Sequence, residues 1–181
     1  MKSSRVWEYI NHTIEKKGAL FILLLDPNSS RHNIDKTIKE GCSNGVDLIL
    51  VGGSFLLNPD FSSFVAFVKE RSCVPVVIFP GGATQLSVYA DGILFMSLIS
   101  GRNPLWLIEE QVKAAPVVKE YDLEVIPSGY MLVGNDCNTA VAFISRTQPI
   151  PSDKPELICA HGLAGKYLGM KLLYLRHIQQ L

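Results

Sequence analysis

The sequence has no apolar run that could cross a bilayer. The longest, Ala19 to Leu25, has seven residues, against the roughly 20 that a membrane helix needs. Neither charge sign is in excess: Lys plus Arg and Asp plus Glu number 17 each, and the pI is 6.9. No basic stripe emerges along the chain, which argues against a nucleic-acid binder. Cysteine is scarce. Cys42, Cys73, Cys137 and Cys159 form no Cys-x-x-Cys pair, so free buried thiols are expected rather than a zinc site or a disulfide framework. His12, His32, His161 and His177 show no triad or metal-ligand spacing. The opening Met1-Lys2-Ser3-Ser4-Arg5 is polar, unlike a signal peptide. These absences lead to the expectation of a soluble, cytoplasmic protein.

What remains is a globular composition. Apolar residues make up 48% of the 181 and charged residues 19%, enough for one domain, residues 1–181, with a sizeable core. A mean hydropathy of +0.21 leaves room for an apolar groove or a subunit interface.

Short apolar runs alternate with helical patterns. Helices are expected over Trp7–Lys17, Ile34–Gly41, Phe61–Lys69, from Asn103-Pro104 to about Glu120, and over Lys154–Gly169. Asn103 would cap the fourth of these, and Pro116 would kink or end it. Strands are expected at Ala19–Leu25, Leu48–Val51, Val74–Phe79, Ile93–Met96, Leu123–Ile126 and Lys171–Leu175. A hairpin joining Tyr130–Val133 to Thr139–Ile144 across Gly134-Asn135-Asp136 is also expected. Uniformly apolar strands separated by helices imply a parallel sheet covered on both faces. Between Phe79 and Ile93 the chain is too short and too broken by Pro80, Gly81 and Gly82 to hold a covering helix. The resulting opening would admit a long apolar ligand.

Two strands end abruptly in polar residues: Leu24-Leu25-Asp26-Pro27 and Leu50-Val51-Gly52-Gly53-Ser54. Ligands of parallel α/β sheets bind at the C-terminal ends of strands. An acid and a hydroxyl beside glycines suit a magnesium ion carrying a phosphate group. Read alone, Asp26 fits an Asx-turn equally well, and Ser54 a helix cap. Pro80-Gly81-Gly82 fits a tight connection as well as a phosphate loop. Tyr130 and Tyr174 fit core tyrosines as well as pocket residues. Phe61, Phe64 and Phe67 read as one packed helix face, Trp106 as a buried or interface residue, and His161 as a core or interface histidine.

These segments, in their order, resemble the geranylgeranylglyceryl phosphate synthase family and its heptaprenylglyceryl phosphate relatives. The resemblance runs from Leu23-Leu24-Leu25-Asp26-Pro27 and Val51-Gly52-Gly53-Ser54 through Phe79-Pro80-Gly81 and Ala90-Asp91-Gly92-Ile93-Leu94-Phe95. It continues through Asn103-Pro104, Ile126-Pro127-Ser128-Gly129-Tyr130 and Ile144-Ser145-Arg146-Thr147 to Lys171-Leu172-Leu173-Tyr174-Leu175. It implies a TIM (β/α)8-type barrel with the third helix replaced by a loop, and transfer of a polyprenyl (geranylgeranyl) group from its diphosphate to sn-glycerol 1-phosphate. It further implies Mg2+ at Asp26 and Ser54, and substrate contacts from Tyr130, Tyr174 and Leu175. Three departures stand out. Asn28-Ser29 replaces an Asp-Lys pair, leaving Arg31 or His32 to supply a cation. Arg176 replaces an acid that would assist removal of the hydroxyl proton, so the catalytic residue is unknown. The last two βα units, which would hold the glycerol phosphate, are missing or altered.

A scaffold that keeps only the diphosphate half of the site, and another phosphate-binding barrel enzyme, are the competing expectations. Unpaired first and sixth strands together with the apolar composition lead to the expectation of a homo-oligomer.

Overall fold

The computed structural model describes residues 5–57, 60–135 and 139–178. Six strands lie in one sheet in sequence order: β1 (Ile22–Leu25), β2 (Leu48–Val51), β3 (Val76–Ile78), β4 (Gly92–Leu98), β5 (Glu124–Gly134) and β6 (Leu172–Ile178). The β1–β2, β2–β3, β3–β4 and β5–β6 ladders are all parallel. The helices are α1 (Arg5–Lys17), α2 (Arg31–Ser43), α3 (Phe61–Arg71), α4 (Glu110–Glu120), α5 (Ala140–Ser145) and α6 (Pro155–Tyr167). A helix follows β1 and β2, but residues 79–91 between β3 and β4 form turns and bends without one. This is the βα succession of a TIM-type barrel chain over six strands, with the third helix replaced by a loop as expected. The chain divides into two compact units, one of Met1–Leu94 with Pro116–Val125, the other of Phe95–Ala115 with Ile126–Leu181.

In the first unit, α1 buries Val6, Ile10 and Thr13 at helical spacing. Its N-terminal amides, which have no partner within the helix, are taken by the Glu124 carboxylate: Val6 N donates at 2.7 Å and Trp7 N at 2.9 Å. β2 and β3 are buried throughout, as central parallel strands must be. β1 is not the fully buried strand expected. It is four residues long, with Ile22 45% and Leu24 43% exposed, because among the described residues it pairs on one side only. The face of α3 that enters the core is Phe61, Phe64, Val65 and Val68. Phe67 lies on its flank, where the Arg71 guanidinium stacks 3.9 Å from its ring centroid and that of Arg31 5.0 Å.

Cys42 and Cys73 form a disulfide joining the end of α2 to the turn before β3. This overturns the expectation of free thiols for this pair: chain positions far apart in sequence meet where two βα units enter the sheet. Cys159 is free and exposed, also contrary to a buried thiol, and Cys137 lies outside the described residues.

Leu123–Ile126 and Tyr130–Val133 do not form separate strands. The second segment continues the ladder of β5 with β6. Its expected hairpin partner is the helix α5, started by the Thr139 hydroxyl accepting from Ala142 N; Asp136 of the expected turn lies outside the described residues. The fourth helix begins where expected, with Asn103 Oδ1 accepting from Leu105 N at 3.1 Å, but its first turn, Leu105–Glu109, is π-helical. Two side chains account for the wider turn. Ser97 Oγ donates to the Leu107 carbonyl at 2.7 Å and Gln111 Nε2 to that of Trp106 at 3.2 Å, drawing both carbonyls off the regular ladder. Pro116 neither ends nor interrupts α4. The carbonyl it leaves without a donor belongs to Val112, which is exposed to water.

Candidate active site

β1 and β2 end side by side, Leu25 opposite Val51, so the loops that follow start together. Asp26 turns back on its own loop, its Oδ1 accepting from Asn28 N at 2.8 Å. This is the Asx-turn the sequence left open, and the carboxylate lies beside Gly53: a Cβ added there would sit 3.4 Å from Asp26 Oδ2 and 3.6 Å from Oδ1. Ser54 is the next residue and is half-buried. The two positions named from the sequence thus come onto adjoining loops, the acid exposed.

Asn28 is more than a missing family residue. Its Nδ2 donates to the Phe55 carbonyl and its Oδ1 accepts from Leu57 N, each at 2.8 Å. It binds the loop after β1 to the loop after β2 through backbone groups. Arg31, one of the cations considered for this place, instead lies over Phe67; His32 is exposed at the start of α2.

The loop after β3 closes on the same glycines. The Phe79 carbonyl comes so near Gly52 that an added Cβ would stand 1.8 Å from its oxygen, and a Cβ on Gly81 would stand 2.0 Å from the Gly53 oxygen. Only glycine allows backbones this close. These approaches make Gly52 and Gly81 the points where the two loops pack backbone to backbone. Two buried polar residues, Gln85 and Ser87, fix the rest of the loop. Ser87 Oγ lies 3.0 Å from Ser62 Oγ and accepts from Tyr89 N at 3.3 Å. Asp91 pairs with Lys69 and accepts from Val76 N at 2.8 Å, a structural role for the Ala90-Asp91-Gly92 segment. Four large apolar side chains on these loops face solvent: Phe55, Leu57, Val88 and Tyr89. Sequence reading missed Gln85 entirely, because a lone glutamine in a Gly-rich loop has the appearance of a solvated residue.

The second unit carries an aromatic site of its own. Tyr130 and Tyr174 face each other across the β5–β6 ladder, their rings edge to face with centroids 5.2 Å apart. Tyr130, Leu98, Leu132, Val141 and Ala142 form one cluster, and Trp106 packs against it, a partly buried packing residue as expected. Burial holds the Tyr130 hydroxyl pKa above its ordinary value, against the opposing charge of Arg176 beside it; Tyr130 therefore stays protonated near neutral pH. Leu175 does not join the two tyrosines. As the residue after Tyr174 it projects to the opposite face of the strand, the face where Leu173 meets Gly162 and Gly165 of α6. His161 is half-buried, with Nδ1 2.7 Å from the Leu157 carbonyl and Nε2 3.2 Å from Arg102 Nη2.

Among the described residues no group of three or more His, Cys, Asp or Glu side chains could hold a metal ion. The donors at the first site are one carboxylate and one hydroxyl. That set fits magnesium, which binds through one or two carboxylates and takes its remaining ligands from phosphate and water, but not a caged structural metal.

The profile of the PcrB family matches residues 11–178. The chain is 40% identical over 177 residues to the geranylgeranylglyceryl phosphate synthase of Pyrococcus abyssi, covering 97% of this chain and 69% of that protein. With the enzyme of the same name from Flavobacterium johnsoniae the identity is 43% over 157 residues, covering 86% and 65%. Among solved structures, (S)-3-O-geranylgeranylglyceryl phosphate synthase from Thermoplasma acidophilum, in complex with its substrate sn-glycerol-1-phosphate, superposes with a TM-score of 0.84 at 26% identity, covering 94% of this chain and 70% of that one. The chain therefore spans about two thirds of the length of the relatives it matches.

Proposed function

The chain belongs to the PcrB family, and from that premise we propose that it is a prenyltransferase acting between a polyprenyl diphosphate and sn-glycerol 1-phosphate. The observation that carries the reading is the meeting of Asp26 with the Gly53-Ser54 loop at the ends of two adjacent parallel strands. In the reaction, the 3-hydroxyl oxygen of the glycerol phosphate bonds to the allylic carbon as that carbon leaves its diphosphate oxygen. Pyrophosphate departs and the hydroxyl proton is released. The protein's task is to position the two reactants and to stabilise the charge that builds on the leaving group.

Asp26 and Ser54 would hold Mg2+, which when bound neutralises that charge. The clasped glycines keep the backbone beneath it in one conformation. Phe55, Leu57, Val88 and Tyr89 offer apolar surface for the prenyl chain on the loops where a covering helix is absent. The Tyr130 and Tyr174 side chains, packed edge to face, suit contact with a substrate oxygen. The geranylgeranyl group is the donor the names of the relatives support.

We assign no catalytic base, and Arg176 is the reason for a second reading. It stands beside Tyr130, where the family resemblance calls for an acid, and a guanidinium takes no proton at neutral pH. On that reading the chain keeps the diphosphate half of the site without completing transfer. We further propose a cytoplasmic homo-oligomer; among the described residues no helix is long and apolar enough to cross a membrane.

Asp26→Asn tests both readings. With magnesium present, the unaltered protein should bind geranylgeranyl diphosphate, and the variant should bind it at least tenfold more weakly while unfolding at nearly the same temperature. Equal binding by both would remove Asp26 from the site. Incubation with radiolabelled sn-glycerol 1-phosphate then separates transfer from binding alone.

A further inference from the structure

Gln85 is a glutamine side chain only 3% exposed in a loop that contains no helix. Among the described residues, the polar contacts of its amide are to backbone of two glycine loops. Its Oε1 accepts from Gly81 N at 3.1 Å and from Gly53 N at 3.4 Å, and its Nε2 donates to the Gly53 carbonyl at 2.9 Å. Its own backbone is fixed by Gln85 N donating to the Gly82 carbonyl at 3.1 Å. One side chain thus satisfies both polar groups of Gly53 while holding Gly81 against it.

We infer that Gln85 is a positioning residue: it clasps the loop after β2 to the loop after β3 and thereby sets where Ser54 stands relative to Asp26. A glycine pair has more backbone freedom than any other dipeptide, so Gly52-Gly53 alone would not hold the next residue in place. The strand ladders hold the chain only as far as Gly52, whose N donates to the Leu25 carbonyl of β1 at 3.1 Å, since β2 ends at Val51 and β3 at Ile78. Besides that bond, two side chains restrain the loop among the described residues. Asn28 takes Phe55 and Leu57 from the side of β1, and Gln85 takes Gly53 from the side of β3, so Ser54 sits between two fixed points. No shorter side chain spans the gap, and no aliphatic one supplies a donor and an acceptor together. Removing the amide also leaves buried backbone groups without partners, which raises the cost of the native loop conformation.

The inference deepens the prenyl diphosphate reading and rests on it for the ligand, but the clasp has a test that needs no ligand. Gln85→Met keeps length and removes the polar atoms. In the free protein, amide exchange at Gly53 and Gly81 should be protected, and in Gln85→Met it should quicken at least tenfold at both. Magnesium-dependent affinity for geranylgeranyl diphosphate should fall at least tenfold in the same variant. Val65→Ala, a cavity in the buried face of α3, serves as the control for lost stability: it should lower the unfolding temperature yet leave both exchange and affinity within twofold of the parent. Unchanged exchange in Gln85→Met overturns the clasp, as does unchanged affinity, or an equal loss in Val65→Ala. Protected glycines in a parent protein that ignores the diphosphate would sink the functional reading and leave the clasp standing.

Discussion

The first unit orders its strand-end loops with backbone contacts, whereas the second packs large side chains across its β5–β6 ladder. After β2 and β3, glycines bring carbonyls closer than any side chain permits, and two amide side chains, Asn28 and Gln85, tie the result. At β5 and β6 the order comes from a tyrosine pair and an indole packed against its cluster. The polar accounts differ to match. Gln85 satisfies both polar groups of Gly53. In the second unit Trp106 Nε1, Gln111 Oε1 and Ser145 Oγ are buried with no partner among the described residues, places where a water or a ligand oxygen would be favoured. In the second unit Phe143, Tyr167 and Leu168 are each more than three quarters exposed. A backbone-built site suits a ligand whose charge must be met at one position. A side-chain-built one can adjust to a ligand's shape.

The largest effect that would break this contrast is expected at Gly52. A Cβ there must displace the Phe79 carbonyl, which is backbone and cannot rotate away. Gly52→Ala should cost about 3 kcal/mol or more and abolish diphosphate binding, measured by urea unfolding and calorimetric titration. A variant that folds with normal stability would show that the loops are not packed through their backbones.

Much of the first unit was legible in the sequence, and for a definite reason. Leu48–Val51 and the Gly52-Gly53-Ser54 that follows announce a buried strand and its polar end in consecutive residues, and the missing third helix follows from a short segment broken by Pro80, Gly81 and Gly82. What was not legible depends on partners distant in sequence. Gln85 gains meaning only when Gly53 and Gly81 flank it, and Cys42 only when Cys73 arrives at the neighbouring strand. Thr139–Ile144 misled because its apolar run fits a strand or a helix equally well, and the choice fell to a cap and to β6 having taken the ladder beside β5. Leu175, which the resemblance sets beside Tyr174 as a substrate contact, lies on the other face of the strand, as strand alternation alone already dictates.

A smaller effect distinguishes stability from site geometry within the first unit. The Cys42–Cys73 bond joins positions 31 residues apart just before β2 and β3, opposite the ends that carry the glycine loops. Bottom-face features of such folds serve stability rather than ligands. The double variant Cys42→Ser, Cys73→Ser should lose about 2 to 3 kcal/mol, read from unfolding with and without reductant, while diphosphate affinity stays within twofold. A tenfold fall in affinity would mean that the staple also sets the loops.

The smallest expected effect is one of pH, and it has opposite signs in the two units. In the first, Asp47 is buried, accepting from Lys17 Nζ at 2.5 Å and from Phe21 N at 2.9 Å; these bonds, that from Lys17 foremost, hold its pKa below the ordinary 3.8. The folded protein therefore binds fewer protons here than the unfolded chain, and the stabilisation is fully present above pH 3.8 and is lost as pH falls through the lower folded value. In the second, burial raises the pKa of Tyr130 above 10.0. Its folded form keeps a proton the unfolded chain gives up, so stability declines as pH rises from 10 towards the folded value. Asp47→Asn should flatten the acid limb of a stability–pH curve and leave the alkaline limb alone, and Tyr130→Phe should do the reverse. Each change should amount to about 1 kcal/mol or less, read from unfolding midpoints at intervals across both limbs. If either variant altered both limbs, the two units would share one titration rather than hold two.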